Sequence, residues 1–540
     1  MGRNHKYYLP LLAFLSAFLL WLGWPVKPLA FVLFVGFVPF LYLEQAISRK
    51  DKPKRGRTFF KYSYLTFLLW NAFTTYWVSY STIFGGVAAV LTNSLLMCLP
   101  MLAFFWTKRA AGKVLGYLSL PVFWIAFEQF HLNWDLSWPW LTLGNGFAAV
   151  PGWVQWYEYT GFLGGSVWVW AVNLLVFWAM TSKTKRWHKA QLAVWMVTVP
   201  LVWSFYIGNN YQEQGEAAEV VVVQPNVDPY KEKFEGAEGH IPFEQQLARL
   251  IKLSEQQITP NTKFVLWPET SISNGLNWEE GFAGSPLRYT LQDFLNRHPG
   301  VELVSGITSG QMYVDSTKKS VTARYHPQVG YYDVFNAALH LPQSGNAAFY
   351  HKSKLVPGVE KMPYPAFFSF LGGLAIDLGG SVGSYGLQEE RSVFRHAQKP
   401  ELAGAPVICY ESIYGEYVSD YVRAGASAIF IITNDAWWSD SPGYKQHLQY
   451  ASLRAIETRR AVARSANTGI SGFINQKGEL GQKSDWWVQA ALRDTILFNQ
   501  SQTFYTRYGE FIGHGSQWLA LGFLVAAVVL GIGNRRKSTY

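Results

Sequence analysis

Two cysteines in 540 residues, Cys98 and Cys409, cannot build a disulfide framework, and no Cys/His spacing suited to a metal accompanies them. Charge is scarce as well: 15% of the chain is Asp, Glu, Lys or Arg, against about a quarter in an ordinary soluble protein. The charge present is unevenly shared. Segment 209–513 holds 26 Lys+Arg against 31 Asp+Glu, and the rest of the chain holds 20 against 5. The net charge of +10 therefore belongs to the two ends. The long polar segment is mildly acidic and lacks the basic face that a nucleic-acid partner requires.

In place of charge there are long apolar runs and aromatics, which make up 17% of the residues and include 24 Trp. Runs of about 17–22 apolar residues span a bilayer as helices. Such runs predict about eight transmembrane helices, at about 8–25, 28–47, 64–84, 87–106, 115–131, 162–180, 192–208 and 516–533. The first ends in Trp24-Pro25 without a small-residue cleavage site, and the next follows at once, which argues against a signal peptide. One cysteine then falls in the bilayer and the other outside it, so they do not pair.

Lys and Arg concentrate in every second loop: Arg49 to Lys61, Lys108 to Lys113, Lys183 to Lys189 and Arg535 to Lys537. The alternate short loops hold only Lys27, and stretch 132–161 holds no Lys or Arg. Positive charge stays cytoplasmic, so both termini are expected inside and the large polar segment outside. The predicted domains are 1–210 with seven spans, 217–505 as the external catalytic domain, and 514–540 with the last span and a cytoplasmic tail. Stretch 132–161 carries Trp134, Trp138, Trp140, Trp153 and Trp156, which read either as an interfacial belt or as a wall guiding lipid. Glu128 is a carboxylate at membrane depth, either functional or snorkelling to the interface.

From about 217 short β-branched runs alternate with amphipathic stretches, which predicts a layered α/β domain. Strands are expected at Glu219–Val223, Phe264–Trp267, Val301–Gly306, Val407–Ile408 and Ala428–Ile432, with helices at about 241–257 and 444–464. Polar residues gather just past the strand ends, where open α/β sheets place their sites. Three segments carry chemistry: Trp267-Pro268-Glu269-Thr270, Tyr350-His351-Lys352-Ser353-Lys354 and Ile408-Cys409-Tyr410-Glu411. A thiol attacks an acyl carbon to give a thioester, a carboxylate takes its proton, and an ammonium steadies the oxyanion. Each residue alone has a plainer reading: a buried small hydrophobe, a turn residue, a solvated charge.

In combination and in this order these segments resemble the nitrilase (carbon–nitrogen hydrolase) superfamily, with its Glu–Lys–Cys triad. Ser137-Trp138-Pro139-Trp140-Leu141, Val222-Val223-Gln224-Pro225-Asn226, Leu355-Val356-Pro357, Thr433-Asn434-Asp435-Ala436-Trp437 and Arg464-Ser465-Ala466-Asn467-Thr468-Gly469 narrow the match. Over about residues 8–533 the chain resembles the apolipoprotein N-acyltransferase family of bacterial membrane enzymes. The resemblance implies an αββα sandwich for the external domain. It implies Glu269 as general base, Lys352 as oxyanion-stabilising residue with Lys354 as its rival, and Cys409 as nucleophile. Glu360 would be a second active-site glutamate, Tyr410 and Glu411 would support the nucleophile, and Phe234 is the nearest match to an aromatic that meets lipid. The substrates implied are a phospholipid acyl donor and a diacylglyceryl apolipoprotein acceptor, with no metal or organic cofactor. The location implied is the inner membrane of an outer-membraned bacterium. A monomer is the simplest assembly.

Two rival readings use the same residues. A membrane-anchored amidase would share the triad, and the many spans favour a lipid substrate over a small amide. A transporter or receptor would show paired ionisable groups deep in the bilayer, where Glu128 stands nearly alone.

Overall fold

The computed structural model describes residues 7–49, 54–233, 235–361, 364 and 384–537. Phe234 lies outside these residues. The chain divides into two compact units, Met1–Asn210 with Tyr508–Tyr540, and Tyr211–Arg507.

The first unit is helical. Among the described residues five helices are long and apolar enough to cross a membrane: Ala30–Ser48, Ile83–Ala111, Leu163–Thr181, Arg186–Asn210 and Phe511–Ile532. Helices also occupy the other three expected places, as Tyr8–Leu22, Arg55–Thr75 and Lys113–His131, and fall short in length or apolarity. The expected run 64–84 is displaced. The helix begins at Arg55, because Arg55, Arg57 and Lys61 form its first turns. It gives way to a 3-10 turn at Tyr76–Tyr80. A Cβ on Gly86 would lie 2.5 Å from the Ser79 backbone, so only glycine lets the next helix start so close to that turn. Glu128 does not snorkel: it is buried, and its Oε1 accepts from the Trp124 indole and the Leu143 N–H, both at 2.8 Å. Trp140 and Trp156 are likewise buried, and Trp140 meets Trp77 edge-on at 4.7 Å.

The second unit contains thirteen strands among its described residues. They are β1 (Glu216–Gln224), β2 (Thr262–Trp278), β3 (Glu302–Met312), β4 (Arg324–His326), β5 (Gly330–Leu341), β6 (Ala348–His351), β7 (Phe394–Arg395), β8 (Ala403–Ile408), β9 (Ala428–Thr433), β10 (Val462–Ala466), β11 (Gly472–Ile474), β12 (Leu480–Lys483) and β13 (Ala490–Phe498). One sheet runs β13-β1-β2-β3-β5-β4 with β6 on β5, and the other runs β12-β11-β10-β9-β8-β7. Each has a parallel centre, β1-β2-β3 and β8-β9-β10. Those central strands read as unbroken apolar runs such as Val220 to Val223 because both of their faces are covered.

Phe264, Phe430 and Phe498 pack between the sheets with ring centroids 5.1–6.2 Å apart. On the outer face of the first sheet lie α1 (Phe243–Glu255) and α2 (Pro286–Asn296). Their Leu247, Leu250, Leu291 and Phe294 join Val221, Val265 and Trp267 in one core. Against the second sheet lie α3 (Gly415–Arg423) and α4 (Pro442–Thr458). The result is a four-layer α/β sandwich: the strand–helix alternation implied the layers, and the family resemblance implied their αββα order. The expected helix 444–464 is too long. It stops at Thr458, where Arg459 turns left-handed with φ +50°, and Val462–Ala466 becomes a strand held between β9 and β11.

The carboxyl ends of the parallel strands carry the unusual backbone. Asn226 and Cys409, just past the ends of β1 and β8, and Thr270, within β2 where its pairing with β3 is interrupted, all have positive φ, between 49° and 52°. On β2 the pairing with β3 breaks between Trp267 and Ile272, which frees Glu269 to point away from the ladder. Gly306 on β3 allows this break, since a Cβ there would stand 2.4 Å from Thr270 N and 2.5 Å from Glu269 Cα. Gly306→Ala should therefore lower stability by about 1–3 kcal/mol and displace Glu269. The check is a melting curve of the purified Gly306→Ala protein, whose midpoint is expected to fall.

Candidate active site

Glu269, on the broken stretch of β2, is buried, and both of its oxygens are engaged. Oε1 accepts from Lys352 Nζ at 3.0 Å and from Asn336 Nδ2 at 2.8 Å. Oε2 accepts from the Asn434 N–H at 3.1 Å. Lys352 follows β6 directly, and its backbone N–H bonds to the Asn336 carbonyl at 2.9 Å, which sets its register. Its ammonium is 1% exposed and also reaches Glu360 Oε1 at 2.8 Å. Burial works against the charge on Lys352, but the carboxylates of Glu269 and Glu360 outweigh it and hold the ammonium well above the usual lysine range.

Lys354 is placed otherwise. Its Nζ stands 4.9 Å over the Tyr414 ring, and burial pushes its pKa down to about 8. Of the two lysines singled out from the sequence, Lys352 is the one that meets the carboxylates.

Cys409 follows the last residue of β8 and opens a short 3-10 turn, Cys409–Ile413. It is 7% exposed. Burial and the nearby Glu269 carboxylate push its thiol up, and the Lys352 ammonium pulls it the other way. The balance leaves a neutral thiol at rest beside a carboxylate and a cation. The arrangement suits proton removal during attack more than a standing thiolate.

The other residues singled out from the sequence fall into place around this group. Glu360 fixes its own loop by accepting the Val356 N–H at Oε2, 2.8 Å. Glu411 is fully buried and joins two loops. Its Oε2 takes the Ile408 N–H at 2.8 Å, while its Oε1 takes the Ser353 N–H at 2.8 Å and the hydroxyls of Tyr350 and Tyr417 at 2.7 and 2.6 Å. It thus ties the Cys409 turn to the Lys352 loop. Tyr410 is buried and meets Tyr414 edge-on at 5.4 Å.

Sequence reading missed two residues. Asn336 bridges Glu269 and Glu360 through one amide nitrogen, at 2.8 and 2.9 Å. Its signal was a lone amide within the apolar run Val334 to Leu339. Lys233 is buried, donates to Thr270 Oγ1 at 2.6 Å, and lines a small cavity with Glu269, Ser271 and Asn467. Burial pulls its pKa down to about 8 against the opposing pull of Glu269. Nothing local to Lys233 in the sequence distinguished it from a solvated lysine. Among the described residues no group of three or more His, Cys, Asp or Glu side chains could hold a metal ion.

Comparison with known proteins places these features. Residues 16–175 match the family model described as the apolipoprotein N-acyltransferase N-terminal domain, and residues 220–499 match the carbon–nitrogen hydrolase model. The chain is 30% identical to the apolipoprotein N-acyltransferase of Chlorobaculum tepidum, with 97% of each chain covered. It is 24% identical to that of Geobacter metallireducens, over 98% of this chain and 96% of the other. Among solved structures, the nitrilase-superfamily protein Nit3 of Saccharomyces cerevisiae overlaps 54% of this chain and 95% of its own, at 14% identity and a TM-score of 0.36. With one family model on the helical unit, a second on the layered unit, and relatives matched over nearly their whole length, the chain belongs to the apolipoprotein N-acyltransferase family.

Proposed function

We propose that the protein transfers an acyl chain from a phospholipid to the N-terminal amine of a diacylglyceryl apolipoprotein through a thioester on Cys409. In the first step Sγ attacks the ester carbonyl as Glu269 takes the thiol proton. Lys352 steadies the oxyanion of the tetrahedral intermediate. The C–O bond breaks, the proton passes to the leaving alkoxide, and a lysophospholipid departs. In the second step the acceptor α-amine attacks the thioester, the C–S bond breaks, and the amine's proton returns the thiolate to thiol by way of Glu269. The product is an amide. The observation that carries this reading is the buried contact of Lys352 with Glu269 beside the Cys409 thiol, in a chain whose other unit is built of apolar helices.

The surroundings support each role. A neutral thiol needs a nearby base, and the donors on both oxygens of Glu269 hold its carboxylate in place for that role. Lys352 keeps its proton, so it stays a cation at neutral pH. Glu360 and Asn336 hold that cation and carboxylate in place, and Glu411 holds the loops that carry the amine and the thiol. Both substrates are lipids, which accounts for a catalytic domain attached to membrane-spanning helices. The alternation of basic loops supports cytoplasmic termini, a catalytic domain on the outer side and residence in the inner membrane.

Three outcomes are expected. Wild-type protein incubated with phospholipid should carry an acyl adduct on the Cys409 peptide by mass spectrometry. Hydroxylamine or a lipopeptide amine should remove it, and Cys409→Ala should carry none; ammonia release from simple amides without an adduct would favour an amidase instead. Glu269→Gln keeps the shape but not the base, and should slow acylation by about 10²–10⁴-fold in a single-turnover assay. Finally, in a Cys98→Ala, Cys409→Ser background, a cysteine at Gly236 should react with an impermeant maleimide in spheroplasts. One at Lys185 should react only after the membrane is opened.

A further inference from the structure

Cys409 holds a backbone conformation, φ +50°, that costs a side-chain-bearing residue free energy, so the turn must be fixed from outside. Its amide side is fixed by Glu411 through the Ile408 N–H. Its carbonyl side is fixed by a second, separate set of buried groups. Ser412 Oγ donates to the Cys409 carbonyl at 2.8 Å, and His447 Nε2 lies 3.1 Å from the same oxygen and 2.9 Å from Ser412 Oγ. On its other side His447 Nδ1 is 3.0 Å from Asp435 Oδ1 and 3.1 Å from Arg464. Asp435 is anchored in turn by Arg464 on Oδ2 at 2.6 Å and by the Thr433 hydroxyl at 3.0 Å. Arg464 and Asp435 attract strongly enough to hold the Asp435 carboxyl far below the usual carboxylate range.

Asp435, His447, Ser412 and Arg464 are all at most 1% exposed. The set resembles a serine–histidine–aspartate relay in spacing, but its hydroxyl faces protein, so it has no substrate to attack. A carbonyl oxygen only accepts. With Nε2–H directed at it, the carbonyl is satisfied and the Ser412 hydrogen is free to bond the same oxygen. The residue before Asp435 completes the chain of contacts, because the Asn434 N–H holds Glu269 Oε2. One path therefore runs from base to nucleophile: Glu269, the Asn434–Asp435 backbone, His447, then the Cys409 carbonyl.

We propose that His447 is a positioning residue for acyl transfer, whose Nε2–H clamps the Cys409 carbonyl and so sets the aim of the thiol relative to Glu269. This inference rests on Cys409 being the nucleophile. Asparagine and glutamine separate the role from mere packing: an Asn amide falls at the place of Nδ1, and a Gln amide reaches the place of Nε2.

The test uses the full-length protein in detergent, with a p-nitrophenyl acyl ester as donor and the nitrophenol burst as the acylation rate. His447→Asn should lower the burst rate by about ten-fold or more with KM unchanged, and His447→Gln should recover most of it. A wild-type rate in His447→Asn would overturn the proposal, as would His447→Gln as slow as His447→Asn when both melt like wild type. Should the Asn protein fail to fold, Ser412→Ala leaves His447 as the side chain holding that oxygen. Acylation must then persist at a reduced rate; its complete loss or an unchanged rate would each overturn the proposal. Cys409→Ala, run in parallel, separates the two ideas. A surviving burst there removes the nucleophile assignment itself, whereas a dead Cys409→Ala beside unaffected His447 variants removes only this inference.

Discussion

The buried Lys352 ammonium lies between two carboxylates, and the surrounding architecture answers to that ion triplet. Removing charges from water costs several kcal/mol per ion, and the attraction within the protein offsets this only if every remaining lone pair and proton finds a partner. Here each carboxylate is completed by a neutral donor: the Asn336 amide for both, the Asn434 N–H for Glu269 and the Val356 N–H for Glu360. Those donors come from β5, the end of β9 and the loop after β6. The triplet therefore exists only when both sheets are assembled. Loss of one partner would strand a buried charge, at a cost of about 3–5 kcal/mol.

Two parallel-centred sheets packed face to face bring the interrupted middle of β2 and the end of β8 together, and each strand departs from regular geometry there. β2 breaks its pairing at Glu269, and β8 ends in a left-handed residue at Cys409. Neither departure is stable by itself. Gly306 makes room for the first, and Glu411 with the Ser412–His447 pair holds the second. Local strain at these residues is thus carried by well-packed, hydrogen-bonded neighbours.

Much of this was legible in the sequence because the signals were local. Unbroken apolar strands, charge-poor helices, and polar residues just past Val407-Ile408 and Phe264–Trp267 each follow from short-range patterning. The grouping of a Glu, a Lys and a Cys came instead from the family resemblance that their order carries, since each residue alone has a plainer reading. What escaped depends on contacts between distant segments. Asn336 becomes a bridge only when β5 lies beside β3 and β6, and Lys233 meets Thr270 only across 37 residues. The end of α4 differs from the expected one because Ala451 to Ile456 and Ala461 to Ala466 are similar buried runs, each mostly apolar with one Ser and one Arg, and only the backbone at Arg459 separates helix from strand. The start of Arg55–Thr75 was misread for the opposite reason. Its first turns are basic, and apolarity marks where a helix can enter a bilayer without marking where the helix begins.

In the proposed orientation Cys409 faces an oxidising compartment, and there a thiol kept neutral and buried has a further consequence. Oxidation by peroxide and exchange with small disulfides both proceed through the thiolate and need access to sulfur. Cys409 offers little of either at rest, since burial raises its thiol and only 7% of the residue is exposed. The same desolvation that calls for a base in the proposed mechanism therefore shields the idle thiol from redox damage. In the proposed orientation such a thiol stays reduced on an oxidising face by its own burial.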